Sequence, residues 1–171
     1  MEINDFILKF LERLKMALTN TVSDLEPDEL KWQAGPQANP IGFILWHQIR
    51  AEDRFINNVF QQKPQVWEQE KWYQKMNLSG DPNDTGSGYT AEQVAAFAVP
   101  ELEVLLQYSE AVRTQTVEYI KNMTPEGLSR IIDHPRLGQI TISELIILLI
   151  GEIYQHIGQI AYLRGLVRSL K

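Results

Sequence analysis

The chain has 171 residues, 44% of them hydrophobic, so it can bury a core without staples, and a single domain over residues 1–171 is expected. It contains no cysteine, which excludes disulfides, thiolate metal sites and cysteine nucleophiles. A net charge of −6 without a basic stripe argues against nucleic-acid binding, which depends on lysine and arginine set against phosphate.

The first amphipathic pattern covers residues 4–19, where Phe6, Ile7, Phe10, Leu11, Leu14 and Leu18 recur at helical spacing, with Asn4 or Asp5 as the cap. The acidic start of the chain lacks the basic-then-apolar order of a signal peptide, and a soluble, cytoplasmic protein is expected. Residues 20–40 are a connection broken by Thr21, Ser23, Pro27, Gly35, Pro36 and Pro40, with one short turn at Asp28-Glu29-Leu30. A second helix is expected from Pro40, capped by Asn39, to about Phe60. Its apolar face gathers Ile41, Ile44, Leu45, Ile49, Phe55, Ile56 and Val59; Glu52 falls near the middle of that face and His47 on its flank. Residues 61–89 form a long connection carrying Trp67, Trp72 and Tyr73, which either line a substrate pocket or anchor the loop on the core.

A third helix opens at Thr90 with a capping box to Gln93, breaks at Pro100 and continues to about Asn122. Thr124-Pro125-Glu126-Gly127 predicts a capped single turn, and Leu137-Gly138-Gln139 an exposed one; no strand pattern is long enough to assign. The fourth helix starts after Thr141, which pairs with Glu144 in another capping box, and runs to about Arg168. Its longest uninterrupted apolar run, Leu145 to Ile150, is far short of the roughly 18 residues that span a bilayer, so no membrane partner is expected. Gly151 and Gly158 weaken the helix, and close approach of a neighbour or ligand would account for them.

Four residues apart in this apolar helix stand Glu152 and His156, on one face with Leu149, Ile153, Ile160 and Leu163 around them. A carboxylate and an imidazole are costly to bury there unless each finds a partner. A divalent metal is one such partner; with His47 from the second helix the set becomes two histidines and a carboxylate, a three-ligand arrangement that leaves a position open for chemistry. The alternative is a polar pair satisfied by Tyr154, Gln159 or water. Glu52 has three readings: a group that orients a histidine ring, the partner of Arg164 or Arg50, or an acid–base catalyst. His134, in Asp133-His134-Pro135, reads as a solvated loop histidine, and Gln159 as a helix-contact amide.

The segment Asn39-Pro40-Ile41-Gly42-Phe43-Ile44-Leu45-Trp46-His47-Gln48-Ile49-Arg50-Ala51-Glu52-Asp53-Arg54 resembles the second-helix signature of the DinB superfamily. His156-Ile157-Gly158-Gln159-Ile160, followed by Tyr162-Leu163-Arg164-Gly165-Leu166, resembles its fourth-helix signature, and the order of elements between them is similar. The resemblance implies an all-α, up-down-down-up four-helix bundle with a long connection between helices 2 and 3. It also implies a divalent metal, often zinc or nickel, in a cleft at one end; the oxygen ligand that Glu152 would add relatively favours harder ions such as manganese or iron. The family's ligands are usually three histidines; His47 and His156 match two of them, and Glu152 stands at the third. It implies, further, a metal-dependent thiol S-transferase or a hydrolase acting on a small electrophile, with a low-molecular-weight thiol as partner, and pairing into a homodimer. The contrasting expectation is a non-catalytic stress-response or interaction bundle in which Glu152 marks a degenerate metal site.

Overall fold

Leucines and isoleucines at helical spacing bury one face of each of four long helices in the computed structural model, which describes residues 2–134 and 137–170. The first, α1 (Ile3–Val22), buries Ile7, Leu11, Leu14, Leu18 and Val22. After the short α2 (Pro27–Lys31), α3 (Ile41–Asp53) runs without a break into a π-helical segment, Arg54–Phe60. Three short helices follow: α4 (Val66–Gln69), α5 (Trp72–Met76) and α6 (Ala91–Ala95). The second half holds α7 (Leu102–Lys121), α8 (Pro125–Ser129), strands β1 (Ile131–His134) and β2 (Gly138–Thr141), and α9 (Ile142–Ser169).

The long helices surround one core: α3 packs on both α9 and α7, and α1 on the same two. Ile41, Leu45 and Ile49 of α3 meet there with Leu105, Tyr108 and Val112 of α7 and Ile142, Leu149 and Ile153 of α9. Each such aliphatic side chain contributes on the order of 2 kcal/mol through burial.

Polar groups of α3, rather than periodicity, fix the long connection after it. The buried Asp53 carboxylate accepts the backbone N–H groups of Val66 (3.0 Å) and Trp67 (2.9 Å), the Asn57 amide (2.8 Å) and the Tyr108 hydroxyl (2.6 Å). It thereby satisfies donors at the start of α4 that have no partner within the helix. Arg50 donates to the Pro82 carbonyl (2.9 Å), the Asp84 carbonyl (3.2 Å) and Gln65 Oε1 (2.7 Å), with its guanidinium 4.3 Å from the centre of the Trp67 ring. Trp67 and Trp72 are buried against Tyr108, so of the two readings for these aromatics the anchoring one holds.

The capping boxes expected at Thr90–Gln93 and Thr141–Glu144, and the Thr124 cap of α8, are all present. Other expectations are corrected. Glu2 stands at the N-cap of α1, and Asn4 donates instead to the Met123 carbonyl at 2.8 Å. Pro40, not Asn39, is the N-cap residue of α3. The expected third helix divides earlier than Pro100, because α6 ends at Ala95 and Val99 fits against Gly42, where any Cβ would overlap it. An antiparallel hairpin, with Ile131 opposite Thr141 and His134 opposite Gly138, occupies a stretch read as loop. Its strands of four residues are too short to show alternation, and Pro135 of that predicted loop lies outside the described residues.

Gly151 and Gly158 of α9 face open space, so no neighbour among the described residues approaches them closely. By length and composition alone α9 is apolar enough to cross a bilayer, which the uninterrupted run of six did not indicate; core helices of globular proteins pass the same test. Its apolar residues divide between the core face and an outer face of Ile147, Leu148, Tyr154 and Tyr162.

Candidate metal centre

The seam between α3 and α9 collects the three residues singled out for metal binding. His47 lies on the flank of α3, so it points into the seam rather than the core, while Glu152 and His156 come from successive turns of α9. Glu152 Oε1 stands 3.5 Å from His47 Nε2 and 3.7 Å from His156 Nε2, and one ligand atom from each residue lies within 4.8 Å of the others. All three residues are half-buried.

Outer partners orient both imidazoles. His47 Nδ1 donates to the Thr85 carbonyl at 2.6 Å, a contact only an N–H can make. His156 Nδ1 donates to Gln159 Oε1 at 2.8 Å. With both Nδ1 atoms engaged outward, both Nε2 atoms face the carboxylate. That is the tautomer in which a ring nitrogen ligates metal, with its other nitrogen held by a carbonyl or amide.

The donor set fits a divalent ion. Bonds of about 2.0–2.2 Å to imidazole nitrogen and carboxylate oxygen, at tetrahedral angles, put neighbouring donor atoms roughly 3.3–3.6 Å apart. The two nitrogen–oxygen separations are close to that edge length, and both exceed an ordinary hydrogen bond. Without an ion the three groups interact through charge. The contacts with His156 and then His47 hold the Glu152 carboxyl down to about 2 against the opposing effect of burial. Burial by itself would lower the His47 pKa, but its contacts with Glu152 and the Thr85 carbonyl outweigh this and raise it.

Beside the triad opens a cavity of about 330 Å3, walled by Ala51, Arg54 and Phe55 from α3 and its π-helical extension, by Asn83, Thr85 and Ser87 from the long connection, and by His134 from β1. Ligand sites are commonly of this size or larger. A groove of similar volume between α1 and α7 is crossed by the Lys15–Glu110 ion pair (2.7 Å) and holds none of the triad.

Glu52 is not brought to the site. It lies buried between α3 and α7, accepting from Arg113 Nη2 at 2.8 Å and Thr116 Oγ1 at 2.7 Å. Neither arginine expected as its partner reaches it: Arg50 binds the long connection, and Arg164 pairs with Asp24 at 2.7 Å. His134 is a wall of the cavity, its ring parallel to Phe55 at 6.3 Å, rather than a solvated loop residue. Gln159 acts on the His156 ring rather than on a neighbouring helix. Sequence reasoning missed Thr85, Arg54 and Arg113. Arg113 left a trace, since an arginine between Val112 and Thr116 on an apolar helix face needs a buried carboxylate. A backbone carbonyl such as that of Thr85 leaves none.

The sequence model of the DinB superfamily matches residues 11–160. A crystal structure described as that of a conserved protein from Enterococcus faecalis superposes with a TM-score of 0.86 over 99% of this chain and 99% of its own, at 23% sequence identity, which establishes likeness of fold. No curated protein matches the chain.

Proposed function

The chain belongs to the DinB superfamily, and we propose that it is a divalent-metal-binding member, one up-down-down-up four-helix bundle in which His47, Glu152 and His156 hold the ion. The observation that carries this is the convergence of three ligand atoms while both Nδ1 atoms are committed to Thr85 and Gln159. A bound ion would lower the pKa of a water or thiol at its open position. The residues do the rest. Thr85 and Gln159 keep the imidazoles from turning, and the carboxylate of Glu152 leaves the site less positive than three neutral histidines would. Zinc or nickel suits two imidazoles, and the oxygen donor widens the choice towards manganese or iron. Ala51 and Phe55 give the cavity an apolar side against which a small electrophile rests while a thiol or water attacks it, as in a transferase or hydrolase.

The test is metal analysis of tag-free protein purified without chelator. About one ion per chain, with at least tenfold weaker binding in His156→Ala, is the expected result. Metal far below one per chain after incubation with zinc, nickel and manganese would sink the reading and favour a non-catalytic bundle.

We also propose that two copies pair through the outer face of α9. Gly151, Gly158 and Gly165 recur every seventh residue, each facing open space, with the exposed Tyr154 and Tyr162 between them and the exposed Ile147 one turn before. Large side chains alternating with notches at heptad spacing suit a second helix of the same kind in two-fold symmetry.

A further inference from the structure

One charged group in the cavity has no role in the metal reading. Arg54 opens the π-helical segment and shares a helix face with His47 and Ala51, at spacings of seven and three residues. π-helical turns are frequent at functional sites. Arg54 is half-buried and lines the cavity, yet its Nε makes no hydrogen bond, and no carboxylate lies within ion-pair distance of its guanidinium among the described residues. The other arginines of the interior differ sharply: Arg50 is bound by Gln65 and two carbonyls, and Arg113 by Glu52. A guanidinium presents paired donors in a fixed plane and matches a carboxylate bidentately. Around it, Asn83 and Ser87 add neutral polar groups, and Phe55 offers a flat apolar wall.

We propose that this cavity takes a small ligand bearing one carboxylate, held by Arg54 with its apolar part against Phe55. The inference deepens the metal reading by naming the substrate class of the same cavity, and it makes Arg54 the residue that selects for negative charge. A single guanidinium with two neutral neighbours suits a monoanion better than a phosphate dianion, for which several cationic or N–H donors normally converge. The remaining anionic group on the wall, Glu152, is turned towards the two imidazoles, at 3.5 Å and 3.7 Å, and its charge would be offset by an ion when one is bound.

The test uses benzoate, the neutral isostere benzamide and inorganic phosphate on the full chain, once after chelation and once saturated with zinc. Binding is followed by calorimetry and by the Arg54 Nε–Hε resonance in nitrogen-15 spectra. Benzoate is expected to move that resonance and to bind at least tenfold more tightly than either comparator, and Arg54→Gln to lose the preference. Equal binding of benzoate and benzamide, tighter binding of phosphate, or no binding of benzoate would overturn the proposal. Benzoate binding that requires zinc and survives Arg54→Gln would also overturn it while upholding the ion. Arg54-dependent binding in a protein that takes up no zinc would uphold it while the metal reading falls. If Arg54→Gln does not fold, the wild-type resonance decides: a shift with benzoate and none with benzamide supports the assignment, and any other pattern overturns it.

Discussion

Glu152 stands between two imidazoles, and in chelated protein that position ties stability to pH at both ends. Its carboxyl is held at about 2 against an ordinary 4.5, so its contribution is complete above 4.5 and fades as pH falls towards 2. The His47 pKa is raised from 6.5, so its contribution is complete below 6.5 and is lost as pH climbs through the folded-state value. Melting temperature of the chelated protein should therefore peak between those limits, and Glu152→Gln should flatten both arms; parallel profiles for the two proteins would count against the coupling. Added zinc should reverse the upper arm, because it competes with the proton on His47. Glu52 belongs to a different balance. Replacing it with Gln strands the buried Arg113 charge, and urea unfolding should show a loss of about 3 kcal/mol with metal content unchanged. Of the site itself, the four-residue spacing of Glu152 and His156 was readable because helix geometry alone puts them on one face. Arg54 was not, since its significance lies in the absence of a partner, which only the packed molecule reveals.

Elements with strong local chemistry were legible: α1, α3, α7 and α9 announce themselves by apolar period, and α6, α8 and α9 by their threonine caps. The connection from 61 to 89 was not, because Asp53 and Arg50, from another element, determine its course. That connection matters to the site through Thr85, and Gly86 next to it is tightly constrained. Gly86 has φ of +77°, and a Cβ there would come within 2.7 Å of Trp46 and 2.8 Å of Phe43. Gly86→Ala should cost roughly 2–3 kcal/mol from strain and overlap and displace the Thr85 carbonyl. Zinc affinity, measured by competition with a chromophoric chelator, should fall about tenfold. Gly88→Ala is the contrast: φ is +80° but the space is open, so about 1–2 kcal/mol of strain is expected with affinity unchanged. Equal zinc affinity in wild type and Gly86→Ala would mean that Thr85 does not position His47.

At the scale of the whole molecule, the outer face of α9 is the largest departure from an ordinary solvent-facing helix. Ile147, Tyr154 and Tyr162 are 68%, 65% and 72% exposed, and α1, packed against α9, also exposes Phe6 and Phe10. Light scattering after size exclusion should give a dimer at micromolar concentration, and Ile147→Glu with Tyr154→Glu should give a folded monomer; a monomeric wild type would remove the pairing proposal. The triad has its own consequence at this scale. His47 and His156 lie about a hundred residues apart in sequence yet meet across α3 and α9. An ion clasped there closes most of the chain into a ring, and a permanent cross-link of that span is worth about 4.7 kcal/mol in the chain-entropy account. The same three side chains that would perform chemistry would also act as a removable fastener, so that scarcity of the ion would shorten the life of the folded chain as well as silence its site.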